Sequence, residues 1–193
     1  MFRPLCMLVA IAAVLSLAPV STHAQATRDL TGDKLTVDNL VHTLTPKGPK
    51  PRGIGLAPPK CQHARGIELR PKADIARLQV EFDTNSANLT PEAEKTLDTL
   101  GQALNQAELK PCCFEVQGYT DSTGGAALNK KLSEQRAQSV IDYLSAHAGI
   151  DKDRMSPKGL GQKHPLGSNE TAEGRQKNRR VQVVNLGYGE LPK

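Results

Sequence analysis

Asp121 and Arg136 are the two side chains of this chain whose types and spacing could do chemistry. They lie fifteen residues apart in VQGYTDSTGGAALNKKLSEQRAQSVIDY, residues 116–143. Asp121 follows what reads as the end of a strand. Arg136 sits on a long helix: at 100° per residue Ala137, Val140, Ile141 and Leu144 share one sector with Leu132, and Arg136 falls on its border. A strand tip and a helix start that converge would set a carboxylate and a guanidinium around one small cleft. Such a pair suits a zwitterion, the acid taking an ammonium and the planar fork a carboxylate. The same spacing also serves a purely structural arrangement, with Asp121 bracing its loop and Arg136 pairing with a neighbouring acid.

The elements that must position these residues are legible on either side. Residues 75–83, IARLQVEFD, alternate Leu78, Val80 and Phe82 against Arg77, Gln79 and Glu81, the pattern of a half-buried strand. Thr90-Pro91 is an N-cap followed by proline in the first helical position. It opens a helix expected near Pro91 to Gln106, with Ala93, Leu97, Leu100 and Leu104 as its buried stripe. A second strand is expected from Cys113 to Gly118, and the long helix from near Asn129 to Ala148. A short strand follows at Arg154 to Gly159, then a short helix opening at Thr171, and a last strand marked by Val181, Val183 and Leu186. Strands alternating with helices imply an α/β domain in which helices pack on a small mixed sheet.

The first 72 residues have a different character. Residues 1–26 combine an early Arg3, an apolar run from Leu5 to Val20 and small residues at Ala24 and Ala26, the pattern of a secretory signal peptide with cleavage after Ala24 or Ala26. Cys6 lies too early to accept a lipid, so the exported chain is expected to carry no anchor and no transmembrane segment. Of 25 basic and 20 acidic residues only Arg3 lies in the leader, so the mature chain keeps 24 against 20, a net +4. An exported basic protein is drawn to anionic surfaces such as wall polymers and lipid head groups. Nucleic acid is excluded as a partner, because there is no Trp, only three Phe and three Tyr, and no basic run interleaved with stacking rings. Residues 27–72 read as an N-terminal extension and linker. One short helix is expected around Leu40, Val41 and Leu44, capped by Thr36 or Asp38, either docking on its own domain or binding an envelope protein partner. Pro46 to Lys60 is too rich in Pro and Gly for regular structure.

A family resemblance is carried by an ordered set of residues. It comprises Phe82-Asp83 with Asn85, Ala87-x-Leu89-Thr90, Gly118-x-Thr120-Asp121, Gly124, Asn129, Leu132-Ser133, Arg136-Ala137, Tyr143-Leu144, Gly159-x-Gly161, Pro165, Asn169-x-Thr171, Gly174-Arg175 and Asn178-Arg179-Arg180-Val181. Over roughly residues 74–187 this resembles the OmpA-like C-terminal domain. The resemblance implies a βαβαβ-type sandwich at 73–187, followed by a tail at 188–193. It implies non-covalent binding of peptidoglycan through the diaminopimelate of the stem peptide, in the periplasm of a Gram-negative bacterium, with a partner as the route to the outer membrane. By the same resemblance Asp121 and Arg136 are the principal contacts to the diaminopimelate, Thr120 and Asn129 line the same ligand, Arg179 closes the cleft, and Asn85 and Thr90 belong to the first loop around it. Tyr119 stands where the family commonly has His, which implies altered packing at the loop. Residues 27–72 are too few and too rich in Pro and Gly to supply an N-terminal β-barrel.

An oxidising compartment makes a disulfide expected among Cys61, Cys112 and Cys113. Cys61 precedes the opening strand and the other two begin its neighbour, so Cys61 is expected to pair with Cys112 or Cys113. No cofactor or metal is implied, since the cysteines and histidines lack the CxxC and HxxxH ligand spacings. Gly159-Leu160-Gly161 lacks the strand-to-helix context of a dinucleotide loop. The enzymatic alternative is a periplasmic enzyme acting on the cell wall, and no nucleophile with a His partner or paired-carboxylate motif supports it.

Overall fold

The computed structural model describes residues 27–47, 61, 74–82 and 86–188. The leader, most of the Pro/Gly-rich linker, Asn85 and the C-terminal tail lie outside the described residues. Nine elements follow in order: β1 (Thr27–Leu30), α1 (Val37–Leu44), β2 (Ile75–Leu78), α2 (Pro91–Leu104), β3 (Cys112–Tyr119), α3 (Ala126–Ala148), β4 (Met155–Gly161), α4 (Ala172–Asn178) and β5 (Val181–Tyr188). Short 3-10 turns at Gly32–Lys34 and Lys152–Arg154 complete the chain of elements. The sheet order is β1-β2-β5-β3-β4, parallel at the two outer pairings and antiparallel on both sides of β5. The expected α/β class with helices on a mixed sheet is thus observed. Among the described residues no helix is long and apolar enough to cross a membrane.

Ala76, Leu78, Phe114, Val116, Val181 and Val183 turn one face of the sheet toward Leu97, Leu100 and Leu104 of α2 and Val140, Ile141 and Leu144 of α3, and all belong to one buried cluster. The stripe expected on α2 is the stripe that is buried, and the Thr90 hydroxyl caps the helix by accepting from Ala93 N at 3.3 Å. α1 docks on its own domain: Leu40 and Leu44 are fully buried in the same core. Its cap is Thr36, which accepts from Asn39 N at 3.2 Å, and not Asp38.

Three features depart from the sequence reading. β1 was not foreseen; its four residues include Arg28 and Asp29 and show no apolar alternation, and it gains its place by pairing Thr27–Leu30 with Ile75–Leu78 at the sheet edge. β2 stops at Leu78 and not at Asp83, because Leu78 pairs with Val181, the first residue of β5, and beyond it there is no partner strand. Phe82 keeps only an isolated bridge to Leu89. α3 begins at Ala126, three residues before the expected start, behind Gly125, which offers no side-chain cap.

Of the two pairings open to Cys61, the structure has Cys61–Cys113, with Cα atoms 5.9 Å apart. Strand alternation explains the choice: Cys112 and Phe114 enter the helix-facing core, whereas Cys113 points to the other face of β3.

The docking of α1 yields a direct test. Leu40→Ala should cost about 2–5 kcal/mol in denaturant unfolding, the usual loss for a buried leucine that leaves a cavity. A change below about 0.5 kcal/mol, the range of surface substitutions, would mean that α1 is not part of the cooperative core.

Candidate functional site

The end of β3 and the first half of α3 are pressed together by missing side chains. A Cβ on Gly118 would fall on the Ser133 carbonyl, and one on Gly159 would collide with the Lys130 carbonyl and Glu134. Ser133, fully buried, ties the junction by accepting from Gly161 N at 2.9 Å and donating to Lys130 O at 2.8 Å. The buried face of α3 therefore changes character along its length. Asn129, Ser133 and Arg136 come first, and Ala137, Val140, Ile141 and Leu144 continue it into the apolar core.

Asp121 emerges from this junction only 9 % exposed. Its Oδ1 accepts from Thr123 N at 2.8 Å, closing a turn on its own loop, and its Oδ2 accepts from Arg179 Nη1 at 2.7 Å. Burial raises the Asp121 pKa, but the bonds from Arg179 and Thr123 outweigh it and hold the carboxyl below the usual carboxylate range. Arg136 is 5 % exposed; its Nε donates to Ser86 O at 3.0 Å and its guanidinium lies 4.8 Å from the Phe82 ring centroid. Burial lowers its pKa, the charge of Arg179 adds to this and that of Asp121 opposes it. Its two terminal nitrogens make no hydrogen bond among the described residues. Asp121 is thus paired to Arg179, fifty-eight residues away in sequence, and not to Arg136.

These groups open onto a cleft of about 380 Å³ lined also by Gln79, Glu81, Phe82, Thr120, Thr123, Asn129, Leu132, Arg175 and Gln176. The Thr120 hydroxyl is buried in its wall without a hydrogen-bond partner among the described residues. Asn129 spends its amide nitrogen on the loop, donating to Thr123 O at 3.0 Å and to Asp121 O at 3.4 Å. Of the residues expected at the site, Thr120, Asp121, Asn129, Arg136 and Arg179 share this cleft. Thr90 is not in the lining and serves as the α2 cap, and Asn85 lies outside the described residues. Tyr119 is absent from the lining too. Its ring lies 3.7 Å from the Arg180 guanidinium, and its hydroxyl donates to Gln117 Oε1 at 2.8 Å.

Gln79, Phe82, Arg175 and Gln176 were missed as site residues. Phe82 and Gln79 carried a signal as strand residues, but only the early end of β2 turns them into a wall. The far wall is held by Asn178, which accepts from Leu166 N at 2.7 Å and Gly167 N at 3.0 Å and donates to Asn169 Oδ1 at 2.9 Å, while Asn169 accepts from Ser122 N at 3.1 Å. This relay fixes α4, and hence Arg179, against the Asp121 loop. A carboxylate held ionised beside a cationic fork recognises charge; it is the opposite of the raised carboxyl that a general acid needs. Among the described residues no cluster of His, Cys, Asp and Glu could hold a metal.

The sign of the Asp121 shift gives a prediction. A carboxyl whose folded pKa lies below its unfolded value of about 4 stabilises the fold above that value and loses the contribution as pH falls through the folded pKa. Asp121→Asn should therefore be less stable than wild type at pH 7, with the gap closing below about pH 4. Urea unfolding across pH 2–7 would show it, and a gap independent of pH would contradict the assignment.

The profile of the OmpA family matches residues 81–179. The Escherichia coli protein named Probable lipoprotein YiaD is 46 % identical over 105 residues, 54 % of this chain and 47 % of its own length. Outer membrane protein A of Bordetella avium is 42 % identical over 106 residues, 55 % of this chain and 53 % of its own. The chain thus spans about half the length of these relatives. Among solved structures, the peptidoglycan-associated lipoprotein of Burkholderia pseudomallei superposes with a TM-score of 0.50 at 26 % identity, over 55 % of this chain and 87 % of that one. The cell wall anchor of the T6SS of Pseudomonas aeruginosa gives 0.50 at 29 % identity, over 67 % and 92 %. With the profile covering the β3–α3 junction, most of the cleft lining and α4 in a single match, this chain belongs to the OmpA family.

Proposed function

We propose that this chain binds peptidoglycan non-covalently through the diaminopimelate of the stem peptide and so tethers or organises the cell envelope from the periplasm. The observation that carries the reading is the unspent edge of Arg136: a buried guanidinium held by one Nε bond, its terminal nitrogens without a hydrogen bond among the described residues, lines a cleft that also holds an ionised carboxylate. The free end of diaminopimelate carries an ammonium and a carboxylate on one carbon. In this reading Asp121 shares its charge between Arg179 and the incoming ammonium, and Arg136 takes the carboxylate as a fork. Asn129 keeps the Asp121 loop in place, and the Thr120 hydroxyl gains the partner it otherwise lacks. A peptidoglycan-associated lipoprotein and a cell wall anchor among the structural neighbours support the same ligand class.

The test is co-sedimentation with sacculi of the diaminopimelate type. Asp121→Ala and Arg136→Ala should each weaken binding by about 2–5 kcal/mol while the protein stays folded, because each removes one half of a charge-assisted grip. The double variant should cost less than the sum of the singles, since the two residues hold different groups of one zwitterion. Wild-type affinity in a well-folded Arg136→Ala protein would refute the proposal.

A further inference from the structure

Beside the first cleft lies a second pocket, of about 400 Å³, lined by Asp29, Thr31, Arg77, Leu78, Gln79, Leu166, Lys177 and Arg180. Three cations face one acid. Asp29 is already paired with Arg77 at 3.3 Å and its side chain is 65 % exposed. Lys177 and Arg180 make no ion pair among the described residues. Arg180 is 5 % exposed, and the partners that hold it are neutral: His164 O at 3.0 Å, Asn178 O at 3.4 Å, the Tyr119 ring and, with the Gln182 amide turned to suit its neighbours, Gln182 oxygen at 3.1 Å. That same oxygen accepts from Arg77 Nε at 2.9 Å, so two guanidinium groups converge on one neutral acceptor. Burying like charges side by side is unfavourable unless an anion completes the set.

The two pockets are neighbours. Gln79 lines both, and its amide donates to Gln176 O and Arg179 O at 3.3 Å each, forming the partition between them. The stretch from Arg175 to Arg180 serves both sides, with Arg175, Gln176 and Arg179 lining the first pocket and Lys177 and Arg180 the second. An extended peptide advances about 3.3–3.6 Å per residue, so a ligand seated in the first cleft reaches past a single side chain within two or three residues. Asp29, Thr31, Arg77, Leu78, Gln79 and Arg180 all fall outside the matched residues 81–179. Half of the second pocket's lining, Asp29, Thr31, Arg77 and Leu78, comes from β1, the turn after it and β2.

We propose that this pocket is a subsite for a further carboxylate of the same stem peptide, gripped by Lys177 and Arg77 above the Tyr119-stacked Arg180. The inference rests on the first cleft taking diaminopimelate, and Leu166, 42 % exposed, gives the peptide an apolar wall to lie on. Asp29 opposes the ligand, since it competes for Arg77 and repels an anion.

Calorimetric titration of the exported chain would test it with two probes, free diaminopimelate and a soluble diaminopimelate-containing tetrapeptide. Lys177→Gln should weaken the tetrapeptide about five-fold, the scale of a partly exposed charge pair, and leave free diaminopimelate unchanged. Asp29→Asn should tighten the tetrapeptide by a few-fold, an outcome that a structural role for Asp29 would not produce. Amidating every carboxylate outside the diaminopimelate should abolish both effects. If Lys177→Gln and Asp29→Asn leave tetrapeptide affinity unaltered, the subsite is refuted and the first cleft stands. If free diaminopimelate binds equally to wild type and Asp121→Ala, the reading of the first cleft falls, and this inference falls with it.

Discussion

The contact on which the rest depends is the seating of α3 on the ends of β3 and β4. Gly118 and Gly159 let the helix backbone come so close that any Cβ would strike a carbonyl, and the Ser133 hydroxyl bonds across the gap to Gly161. From that fixed point geometry follows by turns of helix. Asn129 lies one turn before Ser133 and holds the Asp121 loop; Arg136 lies about one turn after it and reaches into the cleft. A side chain at Gly118 would push α3 outward and separate the two charges before it disturbed the apolar packing of Val140, Ile141 and Leu144. The site and the core thus share one helix but load different halves of it.

Buried arginines separate structure from function in this fold. Arg154 donates from Nε and Nη2 to the carbonyls of Leu104, Leu109 and Cys112 at 2.8–3.2 Å, and so closes the end of α2. Arg136 is at the other extreme, with one donor used and the rest turned to the cleft. Arg180 stands between them, well packed on Tyr119 but without an acid. A buried cation without an ion-pair partner is costly unless something external completes it, and Arg136 and Arg180 both line pockets.

Much of this was legible in the sequence where the signal was local. Thr90-Pro91 and the Ala93, Leu97, Leu100, Leu104 spacing specify α2 through capping and period alone. Asp121 and Arg136 could be brought to one cleft because a strand end and a helix start are only fifteen residues apart. What was not legible depends on distant pairing. β1 is a strand only because Ile75–Leu78 offers it an edge, and β2 ends where β5 runs out. The Arg179 partner of Asp121 arrives through the Asn169–Asn178 relay, which no periodicity announces. Cys113 could be preferred to Cys112 only once the strand's faces were known.

In the proposed complex Asp121 and Arg136 together read both charges of one zwitterion. Within a stem peptide, where the α groups are taken up in peptide bonds, lysine is diaminopimelate without the carboxylate of the free end, so it offers the ammonium and withholds what Arg136 reads. The most direct measurement is an NMR titration that follows the Thr123 amide, which bonds to Asp121, and the Arg136 Nε–H, which bonds to Ser86. Both signals should shift together and saturate with a diaminopimelate-containing stem peptide, while the lysine-containing peptide at the same concentrations leaves the Arg136 signal in place. Equal saturation by the two ligands, or a diaminopimelate response that bypasses both signals, would contradict it.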